Sequence, residues 1–391
     1  MSGRPGPFPL RVLIAGGGVA GLEAMLALRA LAEERVALEL LAPDDRFEYR
    51  PLAVAEPFGA GQVQRFELAP IAAAAGARLH QGALASVDPD RHAVRVTRGQ
   101  PILLYDVLLV AAGARPREAL PGALTFRGAQ DADAVRALLD DCRQGRTRTV
   151  AFAVPGGVTW PLPVYELALL TGAHLAREGT GTELTLVTPE REPLEVFGPE
   201  VAAAVRELLD ECGIRLLTET YPAGVEGASL RTVPGGMLAA DRVVTLPQLK
   251  GPQLAGLPQT QDGFLRTDPF GRVEGVADVF AAGDATDFPI KQGGIAAQQA
   301  DAAARTIAAQ AGAAVEPEPF RPVLRSVLLT GAVPRYLVAK VNGGHGRVSE
   351  AAAEPLWWPP AKIVGHYLAP FLAAHTGLAI TAAPPAPGGT A

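Results

Sequence analysis

The sequence predicts an α/β chain built from two dinucleotide-type βαβ units and a small C-terminal cap. Three observations carry this. A glycine-rich turn lies between an apolar run and an Ala/Leu-rich stretch near the start ("RVLIAGGGVAGLEAMLAL", Arg11 to Leu28). A second alternation of apolar runs and helical patterns fills Arg127 to Gln248. At 391 residues the chain also exceeds the roughly 250 to 300 residues that a single core serves, so more than one unit is required.

Composition narrows the class. With 48% hydrophobic residues, 19% charged residues and a net charge of -6, the chain is globular and has no basic stripe for nucleic acid. Met1 to Pro9 and Ala382 to Ala391 have little apolar surface to bury and read as frayed tails. The start lacks a signal-peptide pattern, which points to cytoplasmic retention. The apolar stretch Ile363 to Ala383 is broken by His366, Pro370 and His375, so no transmembrane helix is expected. The two cysteines, Cys142 and Cys212, fit a reducing compartment, and neither has CxxC or metal-ligand spacing. No metal site is expected.

The first turn reads as strand, loop, helix. Gly16 permits the tight turn, Gly18 lets the backbone approach a pyrophosphate, and Gly21 lets the helix pack on the strand. Gly17, Val19 and Ala20 complete the loop that faces the ligand. A second strand, Val36 to Leu41, follows, and the acidic residue expected at its end is replaced by Ala42. Asp44, Asp45 or a main-chain group then takes the ribose, or it is held more loosely.

Two later segments choose the dinucleotide. "LLYDVLLVAAGARPR" (Leu103 to Arg117) is a buried-strand pattern reaching Ala112-Gly113, and Asp278 to Ala309 is a strand ending at Gly283-Asp284 before a helix that opens near Gly294. In this order the three segments resemble the two-dinucleotide-fold flavoproteins, in which the first loop holds FAD non-covalently. The resemblance implies two Rossmann-like domains with a discontinuous FAD domain (10–118 and 249–317), a middle NAD(P)-type domain (119–248) and a cap (318–381). It also implies that Asp284 binds a ribityl hydroxyl; taken alone, Asp284 reads equally as a helix N-cap near Thr286. Gln292, Gly293 and Gly294 open a helix whose positive end faces the flavin pyrimidine. Lys291 is the candidate catalytic cation at the flavin N1/C2=O edge, against the plainer reading of a solvated loop lysine.

"APDDRFEYRPLAVAEPF" (Ala42 to Phe58), with Phe47, Tyr49 and Pro51, resembles the segment that follows the second strand in type II NADH dehydrogenases and sulfide:quinone oxidoreductases. Arg50 and Pro51 are placed beside the cofactor by that resemblance. The disulfide reductases of the fold carry a redox cysteine pair in this region, and this chain has none. Electrons therefore pass directly between flavin and small molecules.

The middle unit is less regular. Helices are expected over Ala132 to Cys142, Val164 to Arg177 and Pro199 to Cys212, with strands over Thr149 to Val154 and Glu183 to Thr188. The turn that would carry glycines reads "VPGGVTWPLP" (Val154 to Pro163), and Thr188-Pro189 stands where an acid would end the next strand. Each proline removes an N–H, which weakens standard NAD(P)H binding; a helix start near Val164 and Arg191 as a 2′-phosphate ligand keep it open. The stretch Trp160 to Ala168 resembles sulfide:quinone oxidoreductases and flavocytochrome c sulfide dehydrogenases, with Trp160 at the position of their cysteine. Trp160 closes the pocket, stacks on a planar substrate, or serves as an apolar plug.

In the tail, Phe320 to Ala339 reads as two strands about Gly331. Trp357, Trp358, Lys362 and Tyr367 resemble interfacial anchors, and Leu368, Phe371 and Leu372 follow helical spacing. Peripheral contact with the inner face of a membrane, a homodimer contact and plain packing all explain the pattern. The functional expectation is an FAD-dependent oxidoreductase passing two electrons from a small-molecule donor to a quinone-like acceptor. NAD(P)H:quinone reduction, sulfide oxidation without the usual cysteines and a non-catalytic flavin sensor or partner subunit are the alternatives.

Overall fold

The computed structural model describes residues 8–97, 102–342 and 345–376. Of the two expected loose tails only Phe8 and Pro9 fall among them; Ala382 to Ala391 lie outside the described residues.

The first sheet has five parallel strands in the order Val279–Ala281, Val107–Val110, Leu10–Ala15, Val36–Ala42, Arg78–Gln81. Its central strands are apolar on both faces, with Val12, Ile14, Leu40 and all of Val107–Val110 buried, as helix-covered parallel sheets require. The last of these strands in sequence, Val279–Ala281, pairs with Val107–Val110, so residues near 280 reach the same carboxyl edge of the sheet as residues near 15. Helix α1 (Val19–Ala32) leaves the first strand, and α2 (Leu68–Ala74) precedes the outer one.

The second sheet repeats the scheme, in the order Leu124–Thr125, Arg242–Thr245, Thr149–Ala153, Glu183–Val187, Ile214–Leu217. Its helices are α3 (Ala132–Arg143), α4 (Leu162–Glu178) and α5 (Pro199–Glu211), each within two residues of the span the sequence predicts. Helix α6 (Gly293–Gln310) returns to the first unit and packs along α1 through alanine-rich faces.

The cap has three antiparallel strands, Val323–Leu328, Arg335–Asn342 and His345–Ala352, where the sequence suggests two. The third strand carries Gly346, Arg347, Ser349 and Glu350, too polar a run to read as a strand alone. Leu324, Val327, Leu328 and Leu337 join the core formed by α4 and α5.

A C-terminal strap then crosses to the first unit and ends in α7 (Leu368–Thr376). The Glu23 carboxylate on α1 accepts from the Tyr367 N–H at 2.7 Å and the Leu368 N–H at 2.8 Å. Beside it on α6, burial and the Glu23 charge push Asp301 up to about 8, and the Asp301 Oδ1 has no hydrogen-bond partner among the described residues. This strap corrects the reading of Lys362 as an interfacial anchor. Leu368 and Leu372 are buried in the first unit's core, and Lys362 is buried as well; of the proposed anchors only Trp358, 86% exposed, stands clear of the protein. No helix among the described residues is long and apolar enough to cross a membrane.

Candidate active site

The glycine turn forms because no side chain fits it. Gly16 has φ +134°, and a Cβ there would lie 2.0 Å from the Ala111 carbonyl oxygen; a Cβ on Gly21 would lie 1.8 Å from the Gly16 oxygen. Gly18, the N-cap of α1, faces open space, with nothing within 4 Å of its Cβ position. Leu22 is the first residue of the turn whose N–H bonds back into the helix, to the Gly18 carbonyl at 3.0 Å. The amides of Val19, Ala20 and Gly21 have no acceptor among the described residues, and no side chain caps them. Three unpaired donors at a helix N-terminus, over a gap without side chains, make an anion cradle.

The segment after Val279–Ala281 forms the facing wall. Gly283 to Ala285 make a 3-10 turn, and Asp284 is therefore no N-cap of the following helix. Its carboxylate receives no hydrogen bond from any described residue, and burial raises its pKa against the pull of Lys291 and Arg50. The Lys291 ammonium donates to the Thr286 carbonyl and lies 4.0 Å from the Phe264 ring centroid. Burial lowers it to about 8, with Asp284 and Asp287 opposing. Gln292 caps α6: its Oε1 accepts from the Ile295 N–H at 2.8 Å, and its Nε2 donates to the Arg325 carbonyl at 3.1 Å. Its side-chain amide is thus already engaged within the protein.

The middle turn closes the space from the other side. The Thr159 hydroxyl donates to the Pro289 carbonyl, and the Gln248 amide donates to the Gly156 carbonyl at 2.7 Å. Trp160 is half-buried, its ring 5.7 Å from that of Phe197. Thr188 and Tyr165 donate their hydroxyls to Glu190 Oε2, each at 2.7 Å; burial pushes Glu190 up to about 7. Glu190 lies two residues past Thr188, the expected place for an acid, and carries no motif that singles it out in the sequence. Arg191 is exposed and does not line the cavity described next.

One cavity of 1240 Å³ joins these walls. It brings together Gly16, Gly17, Gly18, Val19, Ala20, Arg50, Pro51, Ala112, Gly113, Trp160, Gly283, Asp284, Lys291, Gln292 and Gly293. Gly21 and Gly294 are buried behind it. Asp44 and Asp45 line it, beside the Ala42 that replaces the usual acid. Neither Cys142 nor Cys212 does. The volume exceeds the roughly 300 to 1,000 Å³ of ordinary small-molecule pockets. With the open amide cradle at one wall and the unpartnered Asp284 carboxylate at another, the residues present fit FAD.

Two lining residues escape sequence reasoning. Glu166 on α4 and Lys362 on the strap form an ion pair of 2.5 Å, with side chains 2% and 4% exposed. The Leu329 N–H donates to the same Glu166 oxygen at 2.9 Å. Burial raises the Glu166 pKa, and Lys362 and the Leu329 amide pull it down. The strap is held there by the Ile363 N–H, which donates to the Tyr49 hydroxyl at 3.0 Å. A charged pair this deep is retained only with every partner in place, since breaking one costs about 3–5 kcal/mol. The partners lie 196 residues apart, and the only sequence signal is that a chain with four lysines spends one in an apolar segment.

The similarities to known proteins agree with this geometry. Demethylphylloquinone reductase NdbB from Synechocystis sp. is 27% identical over 304 residues, covering 71% of this chain and 72% of that protein. The sulfide:quinone oxidoreductase of Aquifex aeolicus superposes with a TM-score of 0.79 at 18% identity, covering 88% of this chain and 87% of that one. The ferredoxin reductase for the CYP199A2 system of Rhodopseudomonas palustris gives 0.65 at 21%, covering 85% and 83%. Residues 10–305 match the family model described as pyridine nucleotide-disulphide oxidoreductase, well over half of the chain. The protein is an FAD-dependent oxidoreductase, and the chain belongs to the pyridine nucleotide-disulphide oxidoreductase family.

Proposed function

We propose that this protein passes two electrons from a small-molecule donor to a quinone-like acceptor, with FAD held between the Gly16–Gly21 turn and the Gly283–Gly293 segment. The division of the chain into 10–118 and 249–317 for FAD, 119–248 for the middle domain and 318–381 for the cap belongs to this reading. FAD, when bound, supplies the two-electron relay. Everything else is done by this chain's residues. The amides of Val19, Ala20 and Gly21 hold the diphosphate. Asp284 accepts from a ribityl hydroxyl, which provides the donor its half-buried carboxylate lacks.

The observation that carries the acceptor is the Glu166–Lys362 pair in the wall of the same cavity. Reducing a quinone to the quinol takes two electrons and two protons; one proton would travel with the electrons as hydride from reduced FAD, and the second must come from a side chain in the cavity wall. The Lys362 Nζ donates a hydrogen bond to an incoming carbonyl oxygen, and the pair hands over the proton it shares; burial of Glu166 favours its refilling as the neutral acid. The absence of cysteine from the cavity lining supports direct transfer with no dithiol step. The relative named as a demethylphylloquinone reductase supports an acceptor of the quinone class.

The test is the oxidative half-reaction alone. Photoreduced protein mixed anaerobically with a short-chain quinone is expected to reoxidise about 100-fold faster than with dioxygen at equal concentration. Glu166→Gln is expected to slow that step about 10-fold to 100-fold while leaving flavin content unchanged. Reduced protein that ignores quinones ends this reading.

A further inference from the structure

We infer that Glu23 and Asp301 are positioning residues for quinone reduction: their carboxyl groups share one proton and together hold the C-terminal strap so that Lys362 stays in the cavity wall. The inference rests on the proposed function and deepens it by naming what keeps its proton donor in place.

Between the third cap strand and α7 the strap forms neither helix nor strand, so its course is set by side chains that bind its main chain. Tyr49 takes one such bond, from the Ile363 N–H. Glu23 takes the next two, from the Tyr367 and Leu368 N–H groups, five and six positions beyond Lys362. The fit is close. A Cβ on Gly365 would lie 2.4 Å from Glu23 Oε2, and a Cβ on Gly293 would lie 2.7 Å from Ile363 Cδ1. The strap is thus pressed on α1 and on the start of α6 at once, and Lys362 reaches Glu166 from a main chain fixed on both helices.

Glu23 is fully buried on α1, at 0% exposed, and forms no ion pair among the described residues. What faces it is Asp301 on α6, whose carboxyl is in hydrogen-bond contact with it. Two carboxyl groups can hydrogen-bond only if one of them keeps its proton. Burial and the Glu23 charge keep that proton on Asp301 up to about 8. The neutral acid then donates to Glu23, and a single negative charge receives the strap amides. Once the proton is lost, two like charges face each other beneath the strap, and separating them relieves the repulsion.

The other charged groups around the pair are few. From α6, Arg305 draws on Asp301, yet it also lies 3.3 Å from Glu318. From the strap come the Tyr367 phenol, raised by burial and by the Asp301 charge, and the exposed His366 ring stacked on it at 4.7 Å. On α7 the one titratable side chain is His375, which is bonded to the Phe371 carbonyl.

Two readouts on FAD-loaded protein decide it, each taken at pH 7 and pH 9. Hydrogen exchange of a peptide covering 362–368 reports on the strap without quinone. Its protection factor is expected to fall about 10-fold over that interval in the parent and to stay level in Asp301→Asn, whose amide goes on donating to Glu23. Anaerobic reoxidation of photoreduced protein by a short-chain quinone is expected to slow about 10-fold more in the parent than in Asp301→Asn over the same interval. Comparing the two proteins cancels what His366 and other groups contribute. Glu23→Gln, which offers one carbonyl oxygen where the strap amides use two carboxylate oxygens, should lower strap protection at both pH values and slow reoxidation about 10-fold at pH 7 with flavin content unchanged. The same pH profile in parent and Asp301→Asn, by either readout, or a Glu23→Gln protein that reoxidises at the parent rate, overturns the inference. Glu166→Gln keeps the two readings apart: if it is slowed and the clamp variants are not, only the positioning role falls. If it reoxidises at the parent rate, the proposed function falls and this inference with it.

Discussion

The start of α1 and the start of α4 are the same supersecondary position in two similar sheets, and they present opposite chemistry. At α1, Gly18 leaves open space and three consecutive amides are unpaired. At α4, two prolines flank Leu162, Pro163 has no N–H, the Val164 N–H is spent on the Pro161 carbonyl, and the turn is bonded across to Pro289. The contrast teaches that a βαβ frame supplies direction and packing, while anion binding depends on a handful of N–H groups that a few prolines remove.

The comparison is broken most severely at its glycine end. Gly16→Ala places a Cβ against the Ala111 carbonyl at a φ of +134° and should abolish flavin retention, read as loss of the visible flavin bands in purified protein. The wall shared by the two units comes next. Lys362→Met strands a buried carboxylate on Glu166 and should cost about 3–5 kcal/mol of stability, seen in denaturant unfolding, with quinone reoxidation slowed about 100-fold.

A smaller effect separates α1 from α4 by pH. Asp301 titrates near 8 when folded and near 4 when unfolded, so between those values the folded chain binds more protons. Stability therefore falls as pH rises across that window. The α1–α6 clamp on the strap should loosen with it, and Asp301→Asn should raise Tm by about 2 °C or more at pH 8 and leave it nearly unchanged at pH 4. The smallest change is expected at the other turn. Gly157→Ala has φ +78° but open surroundings, and should cost about 1 kcal/mol with full flavin content.

Much of this was legible in the sequence, for physical reasons. Parallel strands buried on both faces leave apolar runs, and the Gly16–Gly21 spacing is forced by contacts of about 2 Å, so the first sheet and its cradle could be read directly. The Gly283-Asp284 segment was readable through its resemblance to the flavoproteins, since alone Asp284 reads equally as a helix N-cap. Glu166–Lys362 was not, because pairing across 196 residues depends on how the strap folds back. The inward course of the strap escaped for the same reason: the hydrogen bonds to Glu23 and Tyr49 and the Lys362–Glu166 pair join residues more than 190 positions apart. The third cap strand escaped because its polar residues lack alternation.

Flavin content of two matched variants tests the central claim most directly. Gly18→Asp puts a carboxylate into the open cradle of α1, and Gly157→Asp puts the same group into the middle turn. The account predicts equimolar FAD in the parent protein and in Gly157→Asp, and almost none in Gly18→Asp. Flavin retained by the first-turn variant, or lost from the middle-turn variant, would contradict it.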